Sequence, residues 1–98
     1  MKKIAISKKE LIDYEIVFHA LSYVSRRYIL FRLSQKGPML GGEIADELPC
    51  SWPTTTSHLQ TLEKAGLVTV KKQGREQLYE INKSRLSVVE KWIKDVKG

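Results

Sequence analysis

Ser51-Trp52-Pro53-Thr54-Thr55-Thr56-Ser57-His58-Leu59-Gln60-Thr61-Leu62-Glu63-Lys64-Ala65-Gly66 runs directly into Leu67-Val68-Thr69-Val70-Lys71-Lys72-Gln73-Gly74-Arg75-Glu76-Gln77-Leu78-Tyr79-Glu80-Ile81, and the fold turns on this stretch. Ser51 has the side chain of a helix N-cap, and Pro53 is tolerated in a first turn, where the backbone N–H has no intrahelical partner to lose. Gly66 marks the helix end. Beyond it, residues 67–71 and 77–81 are β-rich, alternating runs on either side of Lys72-Gln73-Gly74-Arg75-Glu76, whose glycine supplies a positive φ. The stretch therefore reads as a helix at about 52–65 followed by a β-hairpin with a basic tip at about 71–77. At 100° per residue, Thr55, Leu59, Leu62 and Gly66 gather on one side of the helix. Pro53, Ser57, Gln60 and Lys64 point the opposite way, flanked by Thr54, Thr56 and Thr61. That outward face is polar but almost uncharged, whereas a face that is merely solvated ordinarily carries Glu and Lys.

Upstream, Ser7-Lys8-Lys9-Glu10 fits a capping box that opens a first helix. Leu11, Tyr14, Val17, Phe18 and Leu21 form one apolar stripe on it, and Ile12, Ile16 and Ala20 a second. Two stripes are explained if one packs on its own domain and the other meets a partner chain. A second helix is predicted over 25–35, with Ile29, Leu30 and Leu33 as its core face and Lys36-Gly37-Pro38 as its stop. Leu40, Ile44 and Leu48 predict a short third helix ended by Pro49. Downstream, a last helix from Ser84 onward carries Leu86, Val89, Ile93 and Val96 at the spacing of a helix-pairing seam. The order ααααββα, mainly α with a small β-hairpin, is that of a single winged helix-turn-helix domain over residues 1–98. In such a domain the fourth helix enters the DNA major groove, where short hydroxyl and amide side chains suit base edges.

Charge and composition agree. Ninety-eight residues form one small domain, and 17 Lys and Arg against 11 Asp and Glu give a net charge of +6, which attracts polyanions. The single cysteine excludes an internal disulfide and points to a cytoplasmic setting. Lys2 and Lys3 before Ile4-Ala5-Ile6 imitate a secretory start, but Ser7-Lys8-Lys9-Glu10 interrupts it, and no apolar run approaches the roughly 20 residues of a membrane span.

From Ala20 to Ile81 the chain resembles the ArsR type of winged-helix repressor. The resemblance is carried by Ala20-Leu21-Ser22 with Arg26 and Ile29-Leu30; Gly42-Glu43-Ile44-Ala45 with Leu48; Ser51 with Thr54, Ser57-His58-Leu59, Leu62 and Ala65-Gly66-Leu67-Val68; and Gly74-Arg75 with Tyr79. It implies a symmetric dimer, joined through the first and last helices, that binds a palindromic operator and represses transcription. Three departures stand out: Tyr23-Val24 replaces a common Asp-Pro, Thr55 an apolar β-branched residue, and Trp52 a polar one. The Thr55 hydroxyl is expected to bond back to a carbonyl one turn earlier. Trp52 either covers a base or sugar or packs beside the wing. The metal ligands of many relatives are missing: the third-helix region offers Cys50 alone, and the last helix has no histidine. No metal and no cofactor is expected.

The remaining candidates each have two readings. His58, about 60° from the centre of the buried face, either hydrogen-bonds within the domain or meets phosphate; His19 is interface or surface, or a pH switch. Cys50 fills a gap between helices. Arg26 and Arg27 meet phosphate, or Arg26 forms an intramolecular ion pair. Lys64 is a surface residue or a phosphate contact; Lys71, Lys72 and Arg75 are a solvated loop or a wing that reaches phosphate or the minor groove. No nucleophile–base pair and no phosphate-cradling glycine loop is present, Gly41-Gly42 merely opening the third helix, so the chain is not an enzyme. The expectation is a homodimer on double-stranded DNA, with Thr54, Thr56, Ser57 and Gln60 reading bases and Ser51, Lys72 and Arg75 holding the backbone. Ile12, Ile16, Leu86, Val89, Ile93 and Val96 form the dimer interface. The competing readings are a winged-helix protein-interaction module without DNA binding, and a DNA-binding regulator responsive to a small molecule held near Trp92 or Tyr14; the effector is left open.

Overall fold

The computed structural model describes residues 6–98, so Lys2 and Lys3 lie outside it. Ser7 caps α1 (Lys8–Leu21), its Oγ accepting from the Glu10 backbone N–H at 3.1 Å. α2 (Val24–Lys36) begins one residue earlier than predicted, and its N-cap, Tyr23, makes no side-chain cap, the cost of the missing Asp-Pro. Gly37, at φ 90°, ends it.

A strand that the sequence did not announce follows: β1 (Met39–Leu40) pairs antiparallel with the later strand Glu76–Ile81, Met39 opposite Tyr79 and Leu40 opposite Leu78. Leu40 is thus a strand residue and not the first turn of the third helix. That helix, α3, is only Gly41–Glu47, anchored where Glu43 accepts from the Leu40 N–H at 2.9 Å. Leu48 is already extended, as the residue before a proline should be.

α4 (Trp52–Lys64) ends in a Schellman motif: the Gly66 N–H bonds to the Glu63 carbonyl and the Leu67 N–H to the Leu62 carbonyl, with Gly66 at φ 78°. β2 (Val68–Gln73) and β3 (Glu76–Ile81) then pair with Gln73 opposite Glu76. The hairpin loop is therefore two residues, Gly74-Arg75, and not the five-residue loop expected; Gly74 at φ 63° in the first position matches a type II′ turn. Lys83–Leu86 is a 3-10 turn, so the last helix, α5 (Ser87–Lys97), starts three residues later than Ser84.

The core joins Val17 and Ala20 of α1; Ile29, Leu30 and Leu33 of α2; Ile44, Leu48, Leu59 and Leu62 of the helix-turn-helix; Leu67 just before β2; and Met39, Val68 and Tyr79 of the sheet. On α1 the division into two stripes is corrected. Ala20 is buried, while Leu11 joins Ile12 and Ile16 in being exposed. Ala20 stands about 60° from Val17 on the helical wheel and Leu11 about 120°. α5 lies along α1, with the Phe18 and Trp92 rings edge to face at 5.3 Å and Lys91 paired with Glu10 at 3.2 Å, while Arg85 of the preceding 3-10 turn pairs with Asp13 at 3.3 Å. Among the described residues no helix is long and apolar enough to cross a membrane.

Candidate nucleic-acid interface

The Ser51 hydroxyl fixes the start of α4, accepting from the Thr54 N–H at 3.4 Å and donating to Thr54 Oγ1 at 3.0 Å. With Thr55, Leu59 and Leu62 buried, helical geometry turns Thr54, Ser57 and Gln60 outward, and all three are exposed. Their hydroxyl and amide groups donate and accept at close range and carry no charge. Thr56, grouped with them from the sequence, is half-buried and turns toward the hairpin. Thr55 is fully buried, but its hydroxyl has no hydrogen-bond partner. The expected bond to a carbonyl one turn back is not made: the Ser51 carbonyl accepts from the Thr55 backbone N–H at 2.9 Å. Thr61 makes that kind of bond instead, to the Ser57 carbonyl at 3.1 Å.

The hairpin register places Val68, Val70 and Lys72 opposite Ile81, Tyr79 and Gln77. Side chains alternate along a strand, so these six share the inner face, which is apolar at the base and polar at the tip. Lys72 and Arg75, both exposed, line a cleft between hairpin and α4 together with Trp52, Thr56 and Gln77. Trp52 is 57% exposed and lies beside the wing. Lys71 falls on the other face of the strand. Burial, and then Glu63, push the Tyr79 phenol above its usual range; it stays protonated and donates to Gln77 Oε1 at 2.8 Å.

Two polar residues from the same motif face inward. Arg26, 5% exposed, donates from Nε to the Ala20 carbonyl at 2.7 Å and from Nη2 to the His19 carbonyl at 3.1 Å. Its Nη1 lies 3.2 Å from His58 Nδ1, and its guanidinium sits 4.1 Å over the Tyr23 ring. The ion-pair reading of Arg26 does not hold among the described residues, since its partners are two carbonyls and an imidazole, and at this burial it offers little surface to a phosphate. His58 takes the intramolecular reading, and burial together with Arg26 holds its pKa below the usual range. Arg27 Nη1 donates to the Leu21 carbonyl at 2.7 Å. Cys50 packs against the core, its Sγ 3.8 Å from Ser25 Oγ. Lys64 is exposed on the last turn of α4.

Away from this face, Ile12, Ile16, Ile93 and Val96 are exposed on the α1–α5 pair with Leu11 and Trp92, whereas Leu86 and Val89 are half-buried against the domain's own core. Among the described residues no three His, Cys, Asp or Glu side chains gather as metal ligands.

Residues 24–70 match the family described as bacterial regulatory protein, arsR family. An uncharacterized HTH-type transcriptional regulator of Methanocaldococcus jannaschii is 34% identical over 80 residues, 82% of this chain and 90% of that protein. The crystal structure of an ArsR family transcriptional regulator, RHA00566, superposes with a TM-score of 0.83 at 31% identity, over 96% of this chain and 93% of the other. A solution structure of the homodimeric winged helix-turn-helix DNA-binding domain of a possible ArsR-family regulator from Mycobacterium bovis gives 0.71 at 28% identity, over 97% and 91%. With family, relatives and fold in agreement, the chain belongs to the ArsR family of helix-turn-helix transcriptional regulators, and its winged helix-turn-helix is a DNA-binding fold.

Proposed function

We propose that the protein is a homodimeric repressor that binds an inverted-repeat operator in the cytoplasm, with α4 in the major groove and the wing on the flanking backbone. The observation that carries this is the division of labour on one face: an uncharged row of Thr54, Ser57 and Gln60 beside the exposed cations Lys72 and Arg75. Thr54, Ser57 and Gln60 read base edges, with Thr56 at the margin of that row; Ser51, Lys72 and Arg75 hold phosphate. Dimerisation is supported by the exposed apolar strip of Ile12, Ile16, Ile93 and Val96 and by the homodimeric Mycobacterium bovis relative. Leu86 and Val89 back this strip from within the protomer.

Selection of bound duplexes from a random pool tests the reading, because a dimer returns two inverted half-sites about one helical turn apart. On the selected duplex, Arg75→Ala is expected to lower the salt slope by about one unit per protomer without changing base preference. Ser57→Ala is expected to relax preference at particular base pairs by about 1–3 kcal/mol. Selection of an asymmetric single site would refute the operator geometry, and an unchanged slope for Arg75→Ala would remove the wing.

A further inference from the structure

The cleft between α4 and the hairpin holds about 420 Å³ and is built from unlike chemistries. One wall is Trp52 and Thr56, one helical turn apart on α4; the other is Lys72 and Gln77, paired across the hairpin, with Arg75 at its rim. The floor is Gly41 and Tyr79. A Cβ on Gly41 would stand 3.4 Å from Tyr79 Cε2 and 3.5 Å from Trp52 Cη2, ordinary contact distances, so the indole edge and the phenol ring both lie close over Gly41. More than half of the indole nevertheless remains uncovered. Tyr79 occupies Gln77 Oε1, which leaves the amide NH2 of Gln77 as a donor. Glu76 is the one carboxylate in the lining, against two cations.

An apolar aromatic plate, two cations and neutral donors within one opening match a sugar–phosphate unit, whose deoxyribose presents carbon and whose phosphate presents charge. A base is a poorer fit, because in duplex DNA its face is covered by stacking. Resting on the DNA-binding reading above, we propose that this cleft seats one nucleotide of the operator backbone. The deoxyribose lies against Trp52, and the phosphate is held by Lys72 and Arg75. Trp52 then contributes affinity that depends on neither base sequence nor salt, since its contact is apolar.

The test uses the full chain with Trp92→Phe, which keeps an aromatic edge against Phe18 and leaves Trp52 as the only tryptophan. Titration with the selected duplex and with an unrelated duplex of equal length is expected to change Trp52 emission in both cases. Trp52→Ala is expected to weaken both duplexes equally, by about 5- to 30-fold, with the salt slope unchanged. Trp52→Phe is expected to restore most of the affinity. Thermal melting of each variant reads folding independently. Wild-type affinity for Trp52→Ala, or a loss confined to one sequence, would overturn the proposal while leaving DNA binding intact. Failure of the unaltered chain to retain any duplex at low salt would overturn the DNA reading and this proposal together. Equal quenching of Trp52 by a free mononucleotide would also overturn it, by showing a small-ligand pocket.

Discussion

Arg26→Met tests the buried polar centre of the helix-turn-helix. The guanidinium is buried, and no carboxylate pairs with it among the described residues. Its two carbonyl partners, His19 and Ala20, belong to the last turn of α1, where unpaired carbonyls form the negative end of the helix dipole. The cation is thus held by oriented dipoles, and through His58 it ties the end of α1 to the middle of α4. Hydrogen bonds to a charged group contribute roughly 1.5–3 kcal/mol each, and the desolvation of the guanidinium offsets part of the sum. The methionine keeps a stem of similar length and none of the bonds, so a net loss of about 2–4 kcal/mol is expected. In a domain of this size that lowers Tm by roughly 10–25 °C. Urea denaturation at pH 7.5 with an unchanged m-value is the assay, and a loss under about 1 kcal/mol would refute the argument.

The same variant changes the pH response. His58 Nδ1 accepts from Arg26, and burial followed by the Arg26 charge lowers its pKa, so the folded state holds a neutral ring. The unfolded chain takes up that proton near pH 6.5. Stability is therefore full above about pH 6.5 and falls as pH drops toward the folded pKa, by at most about 1.4 kcal/mol per pH unit for one proton. Removing Arg26 removes one of the two causes, so the acid-side loss shrinks in Arg26→Met and vanishes in His58→Gln. Parallel pH curves for wild type and Arg26→Met would refute the coupling.

Two further predictions concern packing and assembly. Thr55→Val keeps the β-branched shape and removes a fully buried hydroxyl that has no partner; a gain of about 1 kcal/mol, read as a rise in Tm of roughly 4–8 °C, is expected, and any loss would mean that the hydroxyl is satisfied in solution. Ile16→Glu with Ile93→Glu charges the exposed strip on α1 and α5 without touching the core, so sedimentation should report a folded monomer with much weakened operator binding, whereas an unchanged dimer would move the interface elsewhere.

How much of this could be read from residues alone depends on the kind of signal. Caps and closures were legible because they are local: Ser7, Ser51, Gly66 and Gly74 each stand where one backbone group or one φ angle demands them. β1 was not, since two residues, Met39 and Leu40, have no periodicity and owe their strand to pairing with a segment nearly 40 positions away. Thr56 lay on the flank of the wheel, where a few tens of degrees decide between base and cleft. The place of Arg26 was hidden for another reason. An ion pair requires a carboxylate, which a sequence displays, whereas helix-end carbonyls belong to every chain and leave no mark in composition.

The net charge of +6 also looks different once its members are located. Arg32 and Lys36 of α2 pair with Glu47 and Glu43 of α3, and Arg85 of the 3-10 turn and Lys91 of α5 pair with Asp13 and Glu10 of α1. Arg26 is buried. These five cations stiffen the scaffold and are poorly placed to reach phosphate, so in the proposed complex the backbone contact falls first to Lys72 and Arg75, which line the cleft. At about 0.9 in slope per phosphate, two such contacts per protomer give only a modest salt dependence. Tight binding by so lightly charged a face then requires non-ionic contact area, which is what the exposed indole of Trp52 and the uncharged row of Thr54, Ser57 and Gln60 provide.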